Sequence, residues 1–205
     1  MRRLQTLLLG FCAADTFNPW TQSSDDDVAS VNGPLARRQR LQAHLSIQAE
    51  QVLIGEASGY QGCRITGIPF TSERLVMAGY IPRLAAPDTR LSTRRIPWSE
   101  PSATVVWSTL HELGIAASTV LWNAFPWHPH RVQQPLSNRT PTRSERALGL
   151  AVLQMLLAQF PRARVFAVGR HAEQALREIG RNATALRHPS MGGATRFRQA
   201  LRTAL

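Results

Sequence analysis

The sequence predicts an α/β protein, a three-layer α/β/α sandwich with a central four-stranded parallel sheet. Two observations carry this. Short apolar runs alternate with segments of helical periodicity, the pattern of parallel strands joined by crossover helices that cover both faces. The segments of unusual composition then fall at the carboxyl ends of those runs, where open parallel sheets bind their ligands. A chain of 205 residues with 43% hydrophobic residues is long enough to bury a core as one domain. We divide that domain, residues 1–205, into an N-terminal helical segment over 1–50 and an α/β core over 51–205.

The elements follow in order. Leu4, Leu7 and Leu8 fit one face of a first helix, although Met1-Arg2-Arg3 before LQTLLLGFCAA mimics a short leader. A polar stretch from Asn18 to Gly33, with Asp25-Asp26-Asp27, precedes an Arg-rich helix (Arg37, Arg38, Arg40) leading to Glu50. The first strand is Val52 to Gly55. A loop-rich section with Pro82, Pro87 and Pro97 leads to a helix starting near Pro101, capped by Ser99 and ending at Gly114. Ser72 before Glu73 marks a further helix start.

Thr119 to Asn123 is the second strand, and a Pro- and His-rich loop spans Phe125 to Pro141. Thr142 with Glu145 three residues on is a capping box. The helix it opens repeats Leu148, Val152, Met155, Leu156 and Phe160 and stops before Pro161. Arg164 to Val168 is the third strand, His171 to Ile179 a helix, Ala183 to Arg187 the fourth strand, and a last helix starts near Ala194.

Charge narrows the partners. The net charge is +11, and all 24 basic residues are arginine. Guanidinium pairs bidentately with phosphate, so nucleic acid is the expected partner. A chain without lysine has no Walker A clamp and forms no lysine Schiff base. Cys12 and Cys63 lack metal-spaced neighbours and read as free thiols of a reducing, cytoplasmic compartment. An anionic membrane surface is the second candidate for such a charge; no stretch reaches the roughly 20 apolar residues of a membrane span, and the reading we take is DNA with no membrane partner.

Gly55-Glu56-Ala57-Ser58-Gly59 follows strand one, Asn123-Ala-Phe-Pro-Trp-His strand two, Gly169-Arg-His strand three and His188-Pro-Ser strand four. That edge is the expected site. Rival chemistries fail on spacing. Ser58 sits one place late for G-x-S-x-G, and Ile115 stands where H-E-x-x-H needs histidine. His128, His130 and His188 lack a carboxylate or cysteine at ligand spacing and read as solvated loop histidines, so no metal is expected. The turn is not G-x-G-x-x-G, and no cofactor is expected.

These residues carry a resemblance. GEASGYQG…GIPFTSE is similar to the first motif of the uracil-DNA glycosylase superfamily, in its G-E-x-P-G form. Leu121-Trp122-Asn123-Ala124 resembles the strand that ends in its base-reading asparagine. Ser137-Asn138-Arg139-Thr140-Pro141-Thr142 resembles a run before a helix in its iron–sulfur members, and His188-Pro189-Ser190 resembles its second motif. The matches run in the family's order from about residue 50 to 200.

The resemblance implies a role for each residue. Glu56 and the amides of Ala57 and Ser58 would line the base pocket and position a water. Phe70 would stack on the extruded base, Asn123 would read its Watson–Crick edge, and His188 would stabilise negative charge on its O2. Ser190 and the Met191-Gly192-Gly193 turn would grip phosphate and fill the gap in the duplex, as chemistry on an extruded base requires. From their positions in loops beside the site, Arg64, Arg139, Arg170 and Arg196 are, with Asn138, the candidate DNA contacts, while the Arg37–Arg40 cluster reads as a solvated face and His171 as structural.

Departures from the motif matter equally. Ser58 replaces the usual proline, and Ala57 replaces the aspartate of the best-known branch. Catalysis would then lean on stabilising the leaving base. Two cysteines cannot hold the iron–sulfur cluster, and without lysine the enzyme would be monofunctional. Ala57, Ser58, Gly59 and Gly62 leave room for a 5-substituted base. Three readings stay open: uracil excision in repair, excision of hypermodified cytosine from phage DNA in antiviral defence, and a non-catalytic nucleic-acid binding module. A bacterial, nucleoid-associated monomer acting on single- or double-stranded DNA is the expected setting.

Overall fold

A computed structural model describes residues 2–205, so Met1, part of the leader-like start, lies outside the described residues. The four apolar runs form one parallel sheet, in the order β3-β2-β5-β6. Its strands are β2 (Gln51–Ala57), β3 (Thr119–Phe125), β5 (Arg164–Val168) and β6 (Thr184–Leu186). Val52, Leu53 and Ile54 are paired on both sides, with Val120, Leu121 and Trp122 of β3 and with Val165, Phe166 and Ala167 of β5. Side chains alternate across a strand, so adjacent residues feed two separate cores.

Val52, Ile54, Val120 and Trp122 point to one core, shared with α1 (Arg2–Gly10), α2 (Pro34–Leu45), α6 (Arg143–Leu157) and α7 (Arg170–Glu178). Leu53, Leu121, Phe166 and Val168 point to the other, shared with α3 (Cys63–Thr66), α4 (Glu73–Met77), α5 (Pro101–Glu112) and α8 (Ala194–Ala204). The result is the three-layer α/β/α sandwich. Gly149 sets how closely α6 lies on the sheet, because a methyl group there would fall 2.4 Å from the Ala124 carbonyl oxygen. Among the described residues, no helix is long and apolar enough to cross a membrane.

Several elements differ from the sequence reading. Strands β2 and β3 run two residues further than their apolar cores, to Ala57 and Phe125. The N-cap of α5 is Glu100, not Ser99, and it makes no side-chain capping bond. Leu148 of α6 is exposed, while Val152, Leu153 and Leu156 carry the buried stripe. The two-residue strands β1 (Thr16–Phe17) and β4 (His128–Pro129) pair as an antiparallel ribbon, too short to leave a periodic signal. Glu73 does begin α4 behind Ser72, and its buried carboxylate accepts from Ser92 N–H, Ser92 O–H and Trp98 N–H. That one side chain pins the Pro-rich loop that delivers Glu100.

The capping box of α6 forms as expected: Glu145 N–H donates to Thr142 Oγ1 at 3.3 Å, and Thr142 N–H donates to Glu145 Oε2 at 2.7 Å. The Arg37–Arg40 segment corrects its expectation. Arg37 is fully buried, paired with Asp27 at 2.8 Å, rather than on a solvated face. His128 is also buried rather than solvated.

Two buried histidines make stability pH-dependent. Burial, aided by the Arg83 guanidinium, holds His44 down to about 3. Burial holds His128 down to about 4. Leu121 N–H donates to His44 Nε2 at 2.9 Å, which requires the neutral ring. With folded values below the ordinary 6.5, the unfolded chain takes up protons first. Their stabilisation is therefore complete above pH 6.5 and is lost as pH falls through the folded values. Melting across a pH series should show Tm falling steadily from pH 6.5 toward pH 4, and His44→Gln should flatten that slope.

Candidate active site

The carboxyl ends of β2 and β3 lie side by side, Gly55 paired with Asn123 and Ala57 with Phe125. Gly55 is where the site begins. A methyl group there would lie 2.5 Å from the Phe70 ring and 2.6 Å from the Asn123 amide. Only the absence of a Cβ lets an aromatic ring and an amide rest on the strand itself. Phe70 reaches this position with φ at +51°, in the left-handed region. A bulky residue held there is strained, and such strain persists only where the surroundings fix it.

Beyond Gly55 opens a cleft of about 480 Å³, whose lining includes Glu56, Ala57, Ser58, Phe70, Asn123, Asn138, Arg139, His188 and Ser190. The sequence-derived base-site residues thus converge on one cavity. Asn123 is buried, and its amide is satisfied when Oδ1 accepts from Ser58 N–H at 3.2 Å and Nδ2 donates to the Trp122 carbonyl at 3.3 Å. Ser58 is buried too, its hydroxyl donating to the Pro126 carbonyl. It locks the turn after β2 to the loop after β3, and its hydroxyl is committed to that bond. Among the described residues Glu56 Oε1 is buried without a hydrogen-bond partner, its own turn included, and His171 Nε2 stands 3.8 Å away.

His188 follows β6 and faces Phe70, with ring centroids 6.2 Å apart. Its Nδ1 receives the Ser190 N–H at 3.2 Å and lies 2.7 Å from Ser190 Oγ. A backbone N–H can only donate, so Nδ1 is an acceptor and the ring proton sits on Nε2. Burial, with the Arg187 charge beside it, lowers the His188 pKa and favours this neutral form. The turn after it is sharply constrained. Met191 and Gly192 have φ of +52° and +74°. A methyl group at Gly193 would fall 2.0 Å from the His188 carbonyl oxygen. Met191 is the tip of this turn, 92% exposed.

The arginines separate into two kinds. Arg64 and Arg139, expected to contact DNA, are both engaged by other groups of the protein. Arg64 is buried over the Phe17 ring at 4.8 Å, outside the cleft lining. Arg139 does line the cleft, but both terminal nitrogens bind Glu145, each at 2.7 Å, and Nε donates to the His130 carbonyl. Burial pushes the Glu145 carboxyl up, but the Arg139 bonds outweigh that and, with Thr142 and Thr16, hold it at about 2. Arg139 thereby ties its loop to the start of α6 rather than reaching out. Arg170 and Arg196 are exposed, at the first turns of α7 and α8, and neither lines the cleft. Asn138 lines it and accepts from Tyr60 N–H at 3.1 Å.

Sequence reading missed Glu100 and Ser102, which also line the cleft, and gave no role to Gln61 and Thr140 of the quoted motifs, which line it too. Nothing in local sequence signals Glu100; only the fold brings the start of α5 to the Gly59–Gly62 turn. It also missed Arg187, an exposed cation next to His188.

The family model described as the uracil DNA glycosylase superfamily matches residues 43–204. No curated protein matches the chain significantly. Among solved structures 31 chains match. One is the crystal structure of wild-type SMUG2 from Pedobacter heparinus, 15% identical, covering 99% of this chain and 94% of that one with a TM-score of 0.65. At that identity the likeness is one of fold. The family match spans all four sheet strands and every residue placed at the cleft above, and on that ground the chain belongs to the uracil DNA glycosylase superfamily.

Proposed function

We propose that this protein is a monofunctional DNA glycosylase that extrudes a pyrimidine from DNA and hydrolyses its N-glycosidic bond, leaving an abasic site. The observation that carries the reading is a neutral His188, its one ring proton on Nε2, lining the same cleft as Phe70 and Asn123. As the glycosidic bond breaks, its electron pair moves onto the base and negative charge develops at O2. A fixed neutral donor there stabilises the transition state without carrying a positive charge into the ground state. Phe70 stacks on the ring, Asn123 hydrogen-bonds its edge, and Glu56 orients the water that adds to the sugar. Ala57 supplies no acid or base, so leaving-group stabilisation bears more of the barrier.

DNA engagement is part of the proposal. Met191, apolar and fully presented, is suited to fill the gap left by the extruded base. Ser190, Arg170, Arg187 and Arg196 are the exposed candidates for phosphate contacts. The chain fits a G-E-x-P-G-type branch without the iron–sulfur cluster, having only Cys12 and Cys63. A modified pyrimidine, as in phage DNA, is the second reading, favoured by the size of the cleft.

The test offers purified protein a panel of single-stranded and duplex substrates carrying uracil, hypoxanthine, 5-hydroxymethylcytosine or its glucosylated form. Alkali-labile abasic sites should appear with at least one pyrimidine. Cleavage of uracil alone would remove the modified-base reading. Salt-sensitive binding without any abasic product would replace the enzyme reading with a binding module.

A further inference from the structure

The cleft has two ends of different chemistry. Phe70, Asn123 and His188 gather at the Gly55 end. The Gly59–Gly62 turn makes the other end, with Glu100, Ser102, Gln61 and Asn138. The room expected from the glycines is not empty. A methyl group at Gly62 would fall 1.8 Å from Glu100 Oε2, so glycine is what admits this carboxyl into the wall. Ser102 O–H donates to Glu100 Oε1 at 2.6 Å and fixes the carboxyl in place. Burial raises the Glu100 pKa, the Ser102 bond only partly offsetting it. A carboxyl so placed gains most from a ligand that brings hydrogen-bond donors.

Pyrimidine geometry says which atom faces this end. C2 and C5 are opposite each other across the six-membered ring. With O2 against His188, C5 points away from it, into the remainder of the cleft. A volume of about 480 Å³ is in the range that holds drug-sized ligands, well beyond a bare pyrimidine.

The geometry points to Glu100 as a specificity residue: the Gly59–Gly62 end is a subsite for a hydroxyl-bearing substituent at C5 of the extruded pyrimidine, and the Glu100 carboxyl accepts its hydroxyl hydrogen bond. Ser102, Gln61 and Asn138 supply further polar contacts. This rests on the glycosylase reading for the orientation of the base.

The experiment compares wild type with Glu100→Gln and Ser102→Ala on duplexes carrying uracil, 5-hydroxymethyluracil, 5-hydroxymethylcytosine and its glucosylated form. The ratio of kcat/KM for hydroxylated over unsubstituted base should fall about 10- to 100-fold in Glu100→Gln. In Ser102→Ala it should fall less, in the same direction, which keeps the test alive if Glu100→Gln does not fold. Equal loss on every base, or an unchanged ratio, overturns the subsite. Binding is read in parallel with 2′-fluoro duplexes, which resist cleavage. If wild type cleaves nothing yet prefers the hydroxylated duplex and loses that preference in Glu100→Gln, the subsite stands and the catalytic reading falls. If it shows no preference, the subsite falls on its own.

Discussion

His188→Ala is expected to lower kcat on the cognate base by about 100- to 1,000-fold, the usual cost of losing one preorganised donor to a developing anion. The substitution removes the Nε2–H and nothing structural of comparable weight, because His188 is only half-buried and, among the described residues, its ring is held in side-chain hydrogen bonding by Ser190 alone. Folding, followed by circular dichroism and melting, should therefore be close to wild type. The pH profile separates this mechanism from a cationic histidine. Burial and Arg187 place the His188 pKa below its ordinary value, and in the proposed mechanism the active form is the neutral one. Single-turnover rates should be level at neutral pH and above, and should fall as pH drops through that lowered value, because protonation disturbs the Ser190 N–H to Nδ1 bond. A rate that climbs on acidification would show that the imidazolium is the working species. Ser190→Ala keeps the backbone donor and should cost about 10-fold or less, by loosening the ring.

How much of this site could be read from the chain depends on how each residue is positioned. Gly55, Asn123 and His188 lie at ends of strands whose apolar runs are visible in sequence, and topology alone places such ends on one edge. Phe70 was readable only through motif resemblance, since its left-handed backbone leaves no periodic trace. Glu100 was not readable. It sits at the start of a helix 41 residues downstream of the turn it completes, delivered by a loop that Glu73 anchors. Arg37 and Arg64 were misread because arginine in a basic chain predicts surface. Their burial follows from partners, Asp27 and the Phe17 ring, in a segment with little secondary structure. Sequence pattern sees periodic burial well and isolated buried charge poorly.

Asp27→Ala is expected to destabilise the fold by about 3–5 kcal/mol, because it leaves the Arg37 guanidinium buried without its counter-ion. Arg37 has no surface exposure, and the Asp27 side chain has 5%. Asp27 is the hub of the N-terminal segment. Its Oδ1 accepts from Arg37 at 2.8 Å and from Asn32 at 2.9 Å, and its Oδ2 accepts from Ser24 N–H at 2.8 Å. The network reaches α3: Asn32 donates to the Ile65 carbonyl at 3.2 Å, and Arg40, which also donates to Asn32, donates to the Thr66 carbonyl at 2.8 Å. Trp20 donates to the Gly67 carbonyl at 3.2 Å, and a methyl group at Gly67 would lie 2.7 Å from Arg37 Cβ. The segment from Trp20 to Arg40 is thus a brace behind α3, the short helix that joins the cleft-lining Gly59 and Gln61 to Phe70. Urea unfolding should show the loss as a lower midpoint at unchanged slope. A double-mutant cycle with Arg37→Met decides the cause: if the buried unpaired charge is what destabilises, the double variant should be more stable than Asp27→Ala. Below its melting range, Asp27→Ala should also raise KM more than it lowers kcat, since the wall carrying Phe70 loosens while the His188 turn, which follows the edge strand β6, is held by its own Ser190 bonds.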